Sequence, residues 1–106
     1  RGPNPPKVAI VLEKLGLPYK CEYMERNDLT KEPFLSINPN GRIPAIVDPN
    51  TGVTIWESGA IIDYLIEQYD KDSKLYYASD KNWQSASWKY FQVSGQGPYF
   101  GQVAWF

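Results

Sequence analysis

Residues 38–48 read NPNGRIPAIVD, and Pro44 is the residue that decides how the chain folds. A run of apolar, β-favouring residues begins at Ile43, yet proline cannot donate to a strand ladder. It belongs on an edge strand, at a strand's first residue, or at a bulge. If the Ile43–Pro44 bond is cis, the chain turns sharply and Ile43 can present its N–H and C=O outward. An extended peptide could then pair with that backbone as an added strand. A trans proline that simply opens a strand is the plainer alternative.

Working outward, PNTG at 49–52 reads as a hairpin turn and Val53 to Trp56 as the returning strand. In ESGAIIDYLIEQY, residues 57–69, Ile61, Ile62, Leu65, Ile66 and Tyr69 recur at helical spacing, and Ser58 is the expected cap. On the other side, Phe34 to Ile37 is a short helical piece after the polar loop ERNDLTKEP at 25–33. Tyr19, Cys21 and Tyr23 alternate with Lys20, Glu22 and Met24, a strand pattern in which Cys21 is expected as an inert buried thiol. Val8, Val11, Leu12 and Leu15 form one apolar helical stripe. Asn4 is a good N-cap type, Pro5 and Pro6 suit a first turn, Gly16 is a stop and Pro18 prevents resumption.

The order helix, strand, helix, strand, strand, helix is that of a thioredoxin-like α/β (α+β) sheet without its first strand. The expectation is a fragment whose absent strand would precede Arg1 and occupy the centre of the sheet. The expected domains are residues 1–70 for this unit, 71–78 for an exposed linker, and 79–106 for the start of an all-α domain. Ser79 or Asp80 would cap a helix carrying Trp83, Ser87, Tyr90 and Phe91, which Gly95, Gly97 and Pro98 then interrupt.

Composition narrows the chemistry. The 106 residues carry 11 Lys and Arg against 12 Asp and Glu, so no basic face is expected for nucleic acid. With no histidine there is no Ser-His-Asp triad, Cys-His pair or His-ligated metal, and no metal is expected. The single cysteine favours a reducing, cytoplasmic setting. No apolar run approaches the length of a membrane span.

Three features point to a ligand. The Ile43–Pro44 backbone suits an extended peptide. Glu57 and Ser58 stand at a helix start, where free N–H groups and the positive dipole end favour a carboxylate, with Glu57 available to an ammonium group. Asn4 stands at another helix start, where a thiol would be drawn toward thiolate and the amide could donate to it. Taken singly, each has a plain reading: Ser58 and Asn4 as caps, Glu57 as a solvated acid. One molecule satisfies all three, a peptide with a terminal carboxylate and ammonium and a central thiol, which is glutathione.

NPNGRIPAIVD followed by IWESGAIIDYLIEQY resembles the glutathione-binding half of the cytosolic glutathione transferases. RGPNPPKVAIVLEKLG together with FQVSGQGPYFGQ is similar to the subgroup of fungal nitrogen-regulator-like and bacterial nu-class proteins. The resemblance implies that Ile43, before a cis Pro44, holds the cysteinyl backbone of glutathione and that Glu57 and Ser58 hold its γ-glutamyl end. It puts Arg42 and Lys31 near the ligand's carboxylates and Asn4 at its sulfur. Gln96, Tyr99 and Phe100 would border a second-substrate site. The implied activity is glutathione transfer to an electrophile, or reduction of a disulfide or peroxide, by a homodimer. A non-catalytic regulatory or interaction module is the alternative within the same family.

Overall fold

Pro5 and Pro6 open α1 (Pro5–Leu15) in the computed structural model, which describes residues 2–106. Their missing N–H groups fall where a helix has no internal acceptor. Gly16 closes the helix at φ 67°, its N–H donating to the Glu13 carbonyl while the Leu17 N–H reaches back to Leu12. That pair of bonds is the Schellman closure, and the left-handed residue it requires is the reason for glycine at 16. The stripe expected on this helix is present: Val8 is buried, and Val11, Leu12 and Leu15 pack beside it.

A short α2 (Phe34–Ile37) leads to the NPNGR turn. There the side chain of Asn38, only 2% exposed, donates to the Arg42 carbonyl at 2.6 Å and accepts the Asn40 N–H at 2.9 Å. Gly41 adopts φ 63°, and a Cβ on it would lie 3.0 Å from the Leu29 carbonyl oxygen, so both its conformation and its surroundings require glycine.

Strands β1 (Ala45–Asp48) and β2 (Val53–Trp56) form an antiparallel hairpin in the register Ala45↔Trp56 to Asp48↔Val53. The helix α3 (Ser58–Tyr69) follows and lies against both the hairpin and α1. Ile61, with no exposed surface, and Leu65 meet Val8 in the core, with Ile46 and Ile55 from the sheet around them. Burial of each such aliphatic side chain is worth about 1.5–3 kcal/mol.

Asp48 fastens the hairpin to α3. Its carboxylate accepts the hydroxyls of Tyr64, at 2.6 Å, and Tyr69, and the Asn50 N–H closes the turn on its other oxygen. These donors, the tyrosine hydroxyls foremost, hold the Asp48 carboxyl below its ordinary value. Beyond α3, the Asp70 carboxylate accepts the N–H groups of Lys74, Leu75 and Tyr76. This acid, the last residue of the first expected unit, is buried and organises the turn.

Two expectations fail. Residues 19–24 form no strand, and Tyr23 is 94% exposed. Alternation alone does not make a strand: the ladder needs a neighbour, and among the described residues the sheet has only β1 and β2. Cys21 is correspondingly exposed rather than buried. The segment from residue 81 also differs from its reading. Helix α4 (Lys81–Phe91), a π-turn (Gln92–Gln96) and α5 (Gly97–Trp105) run on continuously where a break was expected. Pro98 cannot donate to the carbonyl four residues back, and the wider turn absorbs that missing bond.

In the full-length protein, Ile61→Ala should lower unfolding stability by about 2–5 kcal/mol and Ile61→Val by about 0.5–1.5 kcal/mol, measured by urea denaturation. Asp48 gives a pH signature. Because its folded carboxyl is the stronger acid, its stabilisation is complete above the unfolded value of 3.8 and is lost as pH falls through the still lower folded value. Asp48→Asn should therefore be less stable than wild type at neutral pH, with the gap between their melting temperatures closing in acid.

Candidate functional site

Three chain segments that end or begin helices and strands converge on one cleft of about 690 Å³. The start of α1 contributes Asn4 and Lys7, the turn before β1 contributes Arg42, Ile43 and Pro44, and the start of α3 contributes Glu57 and Ser58. The opposite wall comes from the π-turn and α5, through Val93, Gly97, Gly101 and Trp105.

The Ile43–Pro44 bond is cis, as is Glu32–Pro33. Among the described residues, ladder pairing begins at Ala45 and no backbone partner takes up the N–H or C=O of Ile43. Arg42 differs, because its carbonyl is held by Asn38. Ile43 is thus a half-buried residue at the cleft with a donor and an acceptor to offer.

Glu57 takes φ 71°, an unusual conformation for a residue with a Cβ, and occupies the cap position of α3. The expected cap, Ser58, is instead the first helical residue, buried and facing the cleft. The Glu57 carbonyl already accepts the Ile61 N–H at 2.9 Å. The N–H groups of Ser58, Gly59 and Ala60 precede the first intrahelical bond, so this helix start has donors for an anion.

Asn4 stands at the cap position of α1 with helical φ and ψ, and its side chain makes no cap hydrogen bond. Three residues on, Lys7 occupies the same face. Its ammonium donates to Gln92 Oε1 at 2.6 Å. Partial burial lowers the Lys7 pKa, against the opposing pull of the Glu57 charge.

Six of the expected site residues, Asn4, Arg42, Ile43, Pro44, Glu57 and Ser58, therefore share one cleft. Lys31 does not line it; this residue is exposed, 3.7 Å from Asp28. Gln96, Tyr99 and Phe100 are exposed and also lie outside the lining, while residues 93, 97 and 101 of the same segment face inward at helical spacing. Sequence reasoning missed Lys7, which reads there as one more cation on a solvated helix face. Its i+3 spacing from Asn4 was the available signal.

A thioredoxin-like domain of the N-terminal glutathione transferase type is the class that this fold defines, and residues 1–73 match the family "Glutathione S-transferase, N-terminal domain". The chain belongs to the glutathione S-transferase family. It is 52% identical to the glutathione S-transferase-like protein gedE of Aspergillus terreus, over 99% of this chain and 47% of that protein. Among solved structures it is similar to the glutathione transferase URE2P6 of Phanerochaete chrysosporium in complex with oxidized glutathione, with 48% identity and a TM-score of 0.92. That match covers 99% of this chain and 50% of the other. Ure2p5 of the same fungus, cocrystallized with 1-(S-glutathionyl)-2,4-dinitrobenzene, is 42% identical with a TM-score of 0.87, covering 99% and 46%. The chain thus spans about half the length of the curated relatives it matches.

The backbone at Glu57 yields a direct test. Glu57→Gly removes the Cβ that the positive φ disfavours, whereas Glu57→Ala keeps it. The glycine variant should be the more stable of the two by about 1 kcal/mol, measured by chemical denaturation.

Proposed function

We propose that this chain forms the glutathione site of an enzyme that activates the glutathione thiol for attack on an electrophilic carbon or a disulfide sulfur. The observation that carries this reading is the convergence of Asn4, the unpaired Ile43 backbone and the start of α3 on one cleft. The N–H and C=O of Ile43 pair with the cysteinyl backbone, as a one-residue strand addition. Ser58 and the helix N-terminus receive the γ-glutamyl carboxylate, and Glu57 its ammonium. Arg42 faces the glycine carboxylate. Lys31, outside the lining, is left a long-range electrostatic part that salt would screen.

Asn4, at the start of α1, donates its amide to the sulfur and stabilises the thiolate, and the proton departs to solvent. The protein supplies no covalent nucleophile of its own; it orients and activates a bound one. On a carbon electrophile, a C–S bond forms as the leaving group departs with its electron pair. On a disulfide, a new S–S bond forms as the old one breaks, releasing the second sulfur as thiolate. Oxidized glutathione and a dinitrobenzene conjugate, bound by the two similar transferases, are products of these two chemistries and support both. In this reading the full-length protein is a cytoplasmic homodimer.

In the full-length protein, Asn4→Ala should lower turnover about 10²-fold, the scale of losing one donor to a developing anion. Its retention on immobilised glutathione should persist. Ser58→Ala should instead weaken that retention. Turnover of neither a chloronitrobenzene nor a mixed disulfide, with glutathione retention intact, would favour the non-catalytic module.

A further inference from the structure

Lys7 is a part-buried cation inside the cleft that no role above uses. It lies one helical turn after Asn4 on the same face of α1, and both side chains line the cleft. A lysine there could swing out to solvent, but its Nζ is fixed by Gln92 Oε1 at 2.6 Å, across 85 residues of sequence. Gln92 is itself constrained. Its Nε2 donates to Gln96 Oε1 at 3.1 Å, and a Cβ on Gly97 would lie 3.0 Å from its carbonyl and 3.1 Å from its Nε2. The π-turn therefore presents one amide oxygen to one ammonium, and glycine at 97 leaves room for it.

We propose that Lys7 is a positioning residue whose ammonium, clamped by Gln92, holds positive charge beside Asn4 and biases the bound thiol toward thiolate. The inference rests on the glutathione reading and deepens it. Among the described residues, the other charged side chains lining the cleft are Arg42, from the turn before β1, and Glu57, from the start of α3. From the π-turn and α5 the lining side chains are uncharged among the described residues. Arg42 and Glu57 are opposite in sign, so Lys7 leaves the cleft with a positive excess. A cation favours an ionised thiol by lowering its pKa, and the effect is greatest where water is partly excluded.

The test is the pH titration of thiolate absorbance for glutathione bound to the full-length protein, in wild type, Lys7→Met, Lys7→Arg and Gln92→Leu. Lys7→Met should raise the pKa of the bound thiol by about 1 unit, and turnover below that pKa should fall about tenfold with little change in KM. Lys7→Arg should titrate close to wild type. Gln92→Leu keeps the charge but removes the clamp, and should show a smaller upward shift. Should Lys7→Met fail to fold, Gln92→Leu decides, because Lys7 is still in place. A thiol titration unchanged in the folded variants would overturn the proposal and leave Lys7 a structural strut. Wild-type protein that binds no glutathione would overturn the glutathione reading and this inference together, and would do so before any variant is compared.

Discussion

The side chain of Asn38 does the work that the backbone cannot do for itself at the entry to the sheet. Buried to 2% exposure, it holds the Arg42 carbonyl and the Asn40 N–H, closing the NPNGR turn without a ladder bond from Ile43. A buried amide with both ends engaged fixes a turn more firmly than apolar packing would, because either end left unpaired would carry a desolvation penalty of about 1–3 kcal/mol. The consequence is local and chemical. Among the described residues, the chain approaches β1 with the Ile43 N–H and C=O outside the backbone hydrogen bonding, at the edge of a cleft.

That turn shares a cleft with the start of α3 only because α3 is held in register with it. The Asp48 carboxylate gathers the hydroxyls of Tyr64 and Tyr69 from α3, and Ile61 and Leu65 drive the same helix against α1. The polar tie and the apolar core interleave along the one helix, with Tyr64 falling between Ile61 and Leu65. Together they bring the N-terminus of α3 beside the Ile43 backbone. Glu57 adopts its disfavoured φ at this junction, where the chain must leave β2 and begin a helix within a single residue. Strain of this kind persists only where the surroundings over-determine it, and here both flanking elements are packed.

The elements that were legible in the sequence are those whose signals are local. The stripe of α1, its Gly16 closure, the 45–56 hairpin and α3 all follow from periodicity and turn chemistry. Tyr19–Met24 misled because a strand is a relation between segments, and alternation reports only one of them. Gly95, Gly97 and Pro98 misled for a different reason. Each weakens a regular α-helix, but a π-turn accepts a residue without an N–H and a close backbone approach, so the helix continues. The cleft itself was legible in its lining residues at 4, 42–44 and 57–58. The opposite wall was not, since which of residues 92–106 face inward depends on the phase that the π-turn imposes.

That phase shift is more than a local adjustment. One extra residue in the turn rotates everything after it by about 100° around the helix axis. It turns residues 97 and 101 toward the cleft and leaves Tyr99 and Phe100 on the outer side. Among the described residues, two side-chain hydrogen-bonded links then fix the helical segment to the α/β unit. Lys89 pairs with Asp63 through both carboxylate oxygens at 2.6 Å, and Gln92 receives Lys7. The first lies at the outer face of α3, where the Asp63 carboxylate is open to solvent and an ion pair adds little stability. The second ends on Lys7, which lines the cleft, so that contact fixes the position of a charge there. Two links therefore differ in consequence because of what surrounds them, and the second joins the wall contributed by the helices to the cleft face at the start of α1.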